Sequence, residues 1–178
     1  MTRRKRSSLI ASLPVHVRLA NESDLPRLEW CGQYRHYRRL FKTTYLDQQA
    51  GRRIMLLADC QSNPIGQVFI QLASDNTKVV DGKTRAYFYA VRVMPAFRAK
   101  GIGTMLLTEA ETTIANRGYT LATLAVSKSN LRAQRLYQRL GYLFAGEDDG
   151  VWRYRDHIGI IRHIHDPCWI LEKAIKLL

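Results

Sequence analysis

The sequence predicts a single α/β domain, and three observations carry that prediction. The chain has 178 residues, enough for one sizeable core and short for two. Its first half reads as strands with short connections, an antiparallel meander. Its second half alternates strand and helix patterns as β-α-β-α-β, so the whole makes a mixed sheet covered by helices.

VHVRLA (15–20) alternates apolar and polar residues and predicts the first strand. NESDLP follows, with Asn21 or Ser23 as cap and Pro26 in the first turn, so a helix is expected to start there. That helix is expected to run on through QYRHYRRLFKTTY (33–45), which interleaves aromatic and basic residues. RRIMLLADC and IGQVFIQLA are strand-like runs around the turn QSNP. TRAYFYAVRV (84–93) is a third, led in by Asp81-Gly82. Beyond Pro95 the period changes. A helix is expected from about Gly103 to Asn116, a strand over YTLATLAV (119–126) and a helix from about Asn130 to Leu140. YLFA is strand-like, and CWILEKAI (168–175) starts as a strand and is expected to finish as a helix.

Charge narrows the partners. The formal net charge is +13, and MTRRKRSS holds four positive charges and no acid. Taking these four from +13 leaves +9, so the body of the domain is basic too. Such a field attracts polyanions: nucleic acid, an acidic partner or a phosphate-rich cofactor. Residues 1–12 read as a disordered basic tail and 13–178 as the domain. Cys31, Cys60 and Cys168 are scattered and odd in number, which argues against a disulfide framework and fits a reducing cytoplasm. No apolar run reaches the roughly 18 residues of a membrane span, and the N-terminus lacks the apolar run of a secretory signal.

The stretch RAKGIGTMLLTEAE (98–111) places two glycines where a helix begins. A helix N-terminus carries unpaired N–H groups and partial positive charge, so it is a ready anion site. Glycines at 101 and 103 let an anion approach the backbone, and Arg98 and Lys100 add charge. Ile102, Leu106, Leu107, Ala110 and Ile114 form one apolar face that anchors the helix to the sheet. Taken alone, the glycine pair would also serve a plain tight turn. Neither G-x-x-x-x-G-K-[ST] nor G-x-G-x-x-G is present.

In context, VRVMPAFRAKGIGTMLL resembles the acetyl-CoA-binding motif [QR]-x-x-G-x-[GA] of the GNAT superfamily of N-acetyltransferases. LAVSKSNLRAQRLYQRLGY looks like the strand and helix that follow it, with Asn130 and Tyr137 where the family has an asparagine and a tyrosine. VHVRLANESDLPRL and CWILEK resemble the family's first and last segments, so the likeness covers most of the chain. It implies a mostly antiparallel sheet of about seven strands, splayed between strands 4 and 5 and flanked by helices. It implies acetyl-CoA as acetyl donor and an amine acceptor, a protein or peptide N-terminus or a small molecule, in a monomeric or homodimeric protein. Val91 and Val93 would meet the pantetheine arm, and the loop Arg98, Ala99, Lys100, Gly101, Ile102, Gly103 and Thr104 would hold the pyrophosphate. Asn130 suits a helix cap and a polar contact to the arm equally well. From spacing alone Tyr137 is a core aromatic; the resemblance makes it the hydrogen-bond donor to the departing thiolate, and the Val91 backbone N–H the oxyanion donor.

The pattern departs from the family in two places. Strand 4 offers Tyr87, Tyr89 and Arg92 and no acid, and Ala125 stands where ribosomal-protein acetyltransferases carry a glutamate. The proton acceptor is then Glu29, one of Glu147, Asp148, Asp149 or Asp156, or a water chain, or an amine of low pKa such as an α-amino group needs little help. The stretch 146–167 is long for the family. Its Trp152, Tyr154 and His157, with Glu29, Tyr34, Tyr87 and Tyr89, are the expected acceptor contacts, and a solvated hairpin is the other reading of that stretch. The aromatic-basic stretch 34–45 falls in the family's other acceptor-side region, where it would grip an acidic or phosphate-bearing acceptor or present a solvated basic helix face. His163 and His165 share a strand face, but no paired ligand set makes a metal site. A protein of this fold that binds nucleic acid or ribosomes with little catalysis is the alternative, resting on the +13 charge and the missing base.

Overall fold

The computed structural model describes residues 14–73 and 80–177, so the basic tail anticipated at 1–12 lies outside the described residues. Nine strands and three α-helices follow in the order β1 (Val15–Leu19), α1 (Arg38–Gln49), β2 (Arg53–Cys60), β3 (Asn63–Gln71), β4 (Arg85–Val93), α2 (Ile102–Ala115), β5 (Leu121–Ser127), α3 (Leu131–Arg139), β6 (Leu143–Asp148), β7 (Val151–Arg155), β8 (Ile161–His165) and β9 (Cys168–Ala174). Seven strands form one sheet in the order β1-β2-β3-β4-β5-β9-β6, and β7 and β8 form a separate hairpin. Every pairing is antiparallel except β4 with β5.

The central strands show why RIMLLADC is a continuous apolar run rather than an alternating one. Ile54, Leu56 and Ala58 of β2 and Val68 and Ile70 of β3 enter a core beneath α2. Met55, Leu57 and Phe69 point the other way, into a second core with Phe41 of α1. A strand buried on both faces needs apolar residues at both parities. The five residues predicted for the inner face of α2 are all buried. Gly141, with φ 88, closes α3: the Tyr142 amide donates to the Tyr137 carbonyl and the Gly141 amide to Gln138, each at 3.0 Å. No helix among the described residues is long and apolar enough to cross a membrane.

Two expected helices are corrected. The segment after Asn21 is not a continuous helix but three single 3-10 turns, at Glu22–Asp24, Arg27–Glu29 and Arg35–Tyr37, ahead of α1. Trp30, Cys31 and Gly32 take three consecutive positive φ values, 41, 57 and 93, and a right-handed helix cannot cross them. The C-terminal run stays extended to Ala174, because β9 pairs with β5 on one side and β6 on the other and both ladders use its backbone.

Candidate active site

A gap in the sheet sets the site. β4 and β5 pair only from Arg85↔Leu121 to Phe88↔Leu124, yet β4 runs on to Val93 and β5 to Ser127. The cause lies on the other edge of β4. Its pairing with β3 slips between Gln67 and Phe69, where β4 carries an extra residue, and Ala90 takes φ 51. Such a bulge bends its strand and strengthens its twist. Gln67, 1% exposed, holds it by donating from Nε2 to the Ala90 carbonyl at 3.2 Å. Past Phe88, β4 therefore swings away from β5, leaving Val91 and Val93 beside an opening.

The opening leads to a cavity of about 770 Å³ lined by Val91, Val93, the loop 98–104, Asn130 and Tyr137. Ala99 (φ 61) and Gly101 (φ 81) curl the loop through left-handed conformations just before α2. Such a conformation costs a non-glycine residue roughly 1 kcal/mol or more, strain that recurs at ligand clamps. The two glycines do different work. Gly101 supplies a positive φ with open space around it, whereas a Cβ on Gly103 would meet Leu136 of α3 at 3.1 Å. Gly103 thus lets α2 and α3 approach and form the cavity's two walls. No acid stands in the first turn of α2 or α3, which leaves both positive helix ends uncompensated. Arg98, Arg132, Arg135 and Arg139 line the same cavity, as does Arg92 of β4. Arg98 also donates from Nε to the Val93 carbonyl at 2.9 Å, tying the loop to β4. Lys100 lies over the Phe97 ring at 5.6 Å. Asn130 caps α3 by accepting from the Ala133 amide at 3.1 Å. Tyr137 is 5% exposed, and burial pushes its phenol well above the usual tyrosine value.

On the opposite face of β4 three distant segments meet. Tyr34 and Tyr37 stack at 6.2 Å with 12° between their planes. The β7–β8 hairpin brings Tyr154 to 5.0 Å and Trp152 to 6.5 Å from Tyr37. Arg92 lies over both tyrosines, its guanidinium 4.6 Å from the Tyr34 centroid and 4.7 Å from that of Tyr37. His36 sits 4.1 Å from Tyr37 and 6.2 Å from Tyr154. Burial, with help from Arg92 and His157, lowers the His36 pKa from the ordinary 6.5, so its imidazole is neutral at pH 7.

The profile of the acetyltransferase (GNAT) family matches residues 20–142, more than half of the chain. The chain belongs to the GNAT acetyltransferase family. Its acetyl donor is accordingly acetyl-CoA. No curated protein matches the chain in sequence. Among solved structures it is similar to the ribosomal-protein-S18-alanine N-acetyltransferase of Escherichia coli, at 19% identity and TM-score 0.68, over 92% of this chain and 96% of that one. The NAA60 of Arabidopsis thaliana in complex with acetyl-CoA aligns at 21% identity and TM-score 0.67, covering 90% and 98%. An N-acetyltransferase from Staphylococcus aureus Mu50 aligns at 15% and 0.70, covering 91% and 99%.

The acids considered as bases in this acetyltransferase are mostly engaged. Glu29 is ion-paired with Arg38 at 2.5 Å, which holds its carboxyl below the usual range. Glu147 pairs with Lys128, Asp148 accepts from the Gly150 amide at 2.6 Å, and Asp156 binds Arg162 at 2.8 Å and the Ile158 and Ile160 amides of its own turn. The Tyr89 hydroxyl accepts from Arg53 at 2.9 Å, on the α1 side of the sheet. Tyr87 stacks on Tyr89 at 6.0 Å, and burial pushes its phenol up to about 12. The Cys168 thiol donates to the Asp166 carbonyl at 3.0 Å, and burial raises its pKa, so it is no activated thiolate. His157 lies in the turn between β7 and β8, with a buried Nδ1 that lacks a hydrogen-bond partner. Among the described residues no three metal-ligating side chains gather.

Sequence reasoning placed the stretch 34–45, and with it His36 and Tyr37, on the acceptor side without a role for either; it missed Gln67 and the α3 arginines and named Arg92 only as a non-acid. For the arginines a signal existed: Arg132, Arg135 and Arg139 recur at helical spacing within LRAQRLYQR. Gln67 shows none, because its partner is 23 residues away.

Proposed function

We propose that this protein acetylates an amino group presented from the aromatic side of β4, using acetyl-CoA held in the basic cavity on the other side. The observation that supports this most is the splay: one strand, bent by one bulge, separates a phosphate-suited cavity from a cluster of aromatic side chains suited to an acceptor. The residues suit the donor. A curled loop at a helix N-terminus and the arginines that line the cavity provide N–H donors and charge for a diphosphate, and the edge of β4 that β5 leaves unpaired at Val91 and Val93 provides ladder groups for an extended arm, apart from the Val93 carbonyl that Arg98 already engages.

Acetyl-CoA supplies the thioester carbonyl and the thiol leaving group. The Val91 amide stabilises the oxyanion as a fixed backbone donor. Tyr137, its pKa raised by burial, keeps its proton and stabilises the developing thiolate by a hydrogen bond rather than by proton transfer. His36 takes the amine proton: it is the neutral imidazole of the acceptor side, while Asp156 is committed to Arg162. An acceptor of low amine pKa, a peptide N-terminus or a small amine, asks least of that base. Calorimetric titration with acetyl-CoA tests the donor half. Binding that sharpens at low salt is expected; no binding, together with salt-steep RNA affinity, would replace this reading with the nucleic-acid one.

A further inference from the structure

Arg92 is a cation without an anion. It is half-buried on β4, between the donor cavity and the aromatic cluster. Among the described residues no carboxylate pairs with it and no acceptor takes its N–H groups; its neighbours are the rings of Tyr34 and Tyr37. Burial weighs against its charge, and only the tyrosines Tyr37, Tyr34 and Tyr154 offset it. A guanidinium does not lose its proton in a protein. Stacking covers its face and leaves the planar edge, with its fork of donors, for a partner. Glu29 and Asp156, acids of the neighbouring segments, are already bound to Arg38 and Arg162. Arg92 adjoins Val91, the proposed oxyanion donor, and consecutive Cα atoms lie about 3.8 Å apart.

We propose that Arg92 binds a carboxylate carried by the acceptor itself, within about one residue of the amino group that is acetylated. This rests on the acetyltransferase reading above and narrows its substrate class. The carboxylate has two sources: the α-carboxylate of a free amino acid, or an acidic side chain in the first two residues of a peptide. A bidentate guanidinium–carboxylate pair in a half-dry site fixes orientation as well as affinity. The same positive charge disfavours a protonated amine nearby and so helps present the neutral form.

The test uses matched acceptors with the wild-type protein and two variants. One pair is phenylalanine and its amide; the other is a C-terminally amidated tetrapeptide with Glu or Gln at its second position. Wild type is expected to favour a carboxylate member by about 10- to 100-fold in kcat/KM, the worth of a charge-assisted pair. Amidation lowers the amine pKa and so would by itself favour the amide, which makes the expected preference a sign of recognition. The pair that shows it identifies the source. In Arg92→Gln the preference falls towards unity; Arg92→Lys, which keeps charge but loses the fork, retains only part of it. Equal rates within both pairs, or no carboxylate acceptor acetylated by a protein that binds acetyl-CoA, overturns the proposal and leaves the donor reading standing. Loss of acetyl-CoA affinity in Arg92→Gln without loss of preference assigns the residue to the donor and also overturns it. Failure of wild type to bind acetyl-CoA removes the reading beneath it.

Discussion

Thr104→Glu separates the fold from the function because it drives them in opposite directions. Thr104 is exposed, lines the donor cavity and stands three residues after Gly101, the residue that caps α2. An acid in that position favours a helix: it complements the positive helix end and adds about 0.3–1 kcal/mol. For a chain of this length that raises Tm by about 1–4 °C. The same carboxylate faces the diphosphate. Two unit charges about 5 Å apart at an effective dielectric constant near 40 repel by ~1.7 kcal/mol, so two phosphate charges give ~3 kcal/mol, or about 200-fold in Kd. Thr104→Gln brings the same bulk without the charge and should cost less than tenfold. Calorimetry with acetyl-CoA reads the affinity and thermal unfolding reads the fold. A Thr104→Glu protein with raised Tm and undiminished affinity would show that the α2 N-terminus does not hold the diphosphate.

Three further outcomes follow from the geometry. Tyr137→Phe keeps the ring against Tyr142, 5.9 Å away, so acetyl-CoA affinity should hold while kcat drops by about 10- to 100-fold; stopped assays of CoA release check it, and an unchanged kcat removes Tyr137 from the reaction. Gln67→Leu leaves the Ala90 carbonyl without its donor, which costs about 1–3 kcal/mol, and should lower Tm by a few degrees while reducing kcat/KM as the bulge relaxes; full activity in a folded variant would detach the bulge from the site. His36 has a lowered pKa, so just below 6.5 the unfolded chain binds more protons than the folded one. Stability attributable to it is complete above that value and declines as pH falls through the window. In His36→Gln that decline should disappear, together with the acid limb of kcat/KM and about 100-fold of the rate at neutral pH; an unaltered pH profile would show that the proton leaves by another route.

The elements around the cavity proposed for the donor were legible in the sequence because they are local. The loop, the cap of α3, the apolar face of α2 and the Gly141 stop each lie within a dozen residues and follow helix-terminus rules. The bulge was not legible. Nothing in YFYAV signals a positive φ at Ala90; its cause is a glutamine on the neighbouring strand. Even the glycine pair was only half understood, since Gly103 answers to Leu136, 33 residues on, rather than to a turn. The acceptor side was the least legible, being assembled from residues 34–37, 92 and 152–157. The interrupted path from Trp30 to Gly32, which turns Tyr34 and Tyr37 towards β4, runs against the helical pattern read there.

Arg92 also accounts for the missing carboxylate on β4. A glutamate beside a guanidinium at about 4 Å gains ~4 kcal/mol at an effective dielectric constant of 20. That attraction would hold its pKa far below the range useful for taking a proton from an amine, and would occupy the donors of Arg92 as well. A strand that presents a free arginine to the acceptor therefore cannot also present an acid base. An imidazole escapes the conflict. Burial first, and then the same positive field that would tie up a carboxylate by ion pairing, keep His36 unprotonated, as its lowered pKa shows. The arginine on β4, the neutral histidine in the aromatic cluster and the absence of acid from Tyr87 to Val93 are thus mutually consistent, and they support the proposed acceptor that brings its own negative charge.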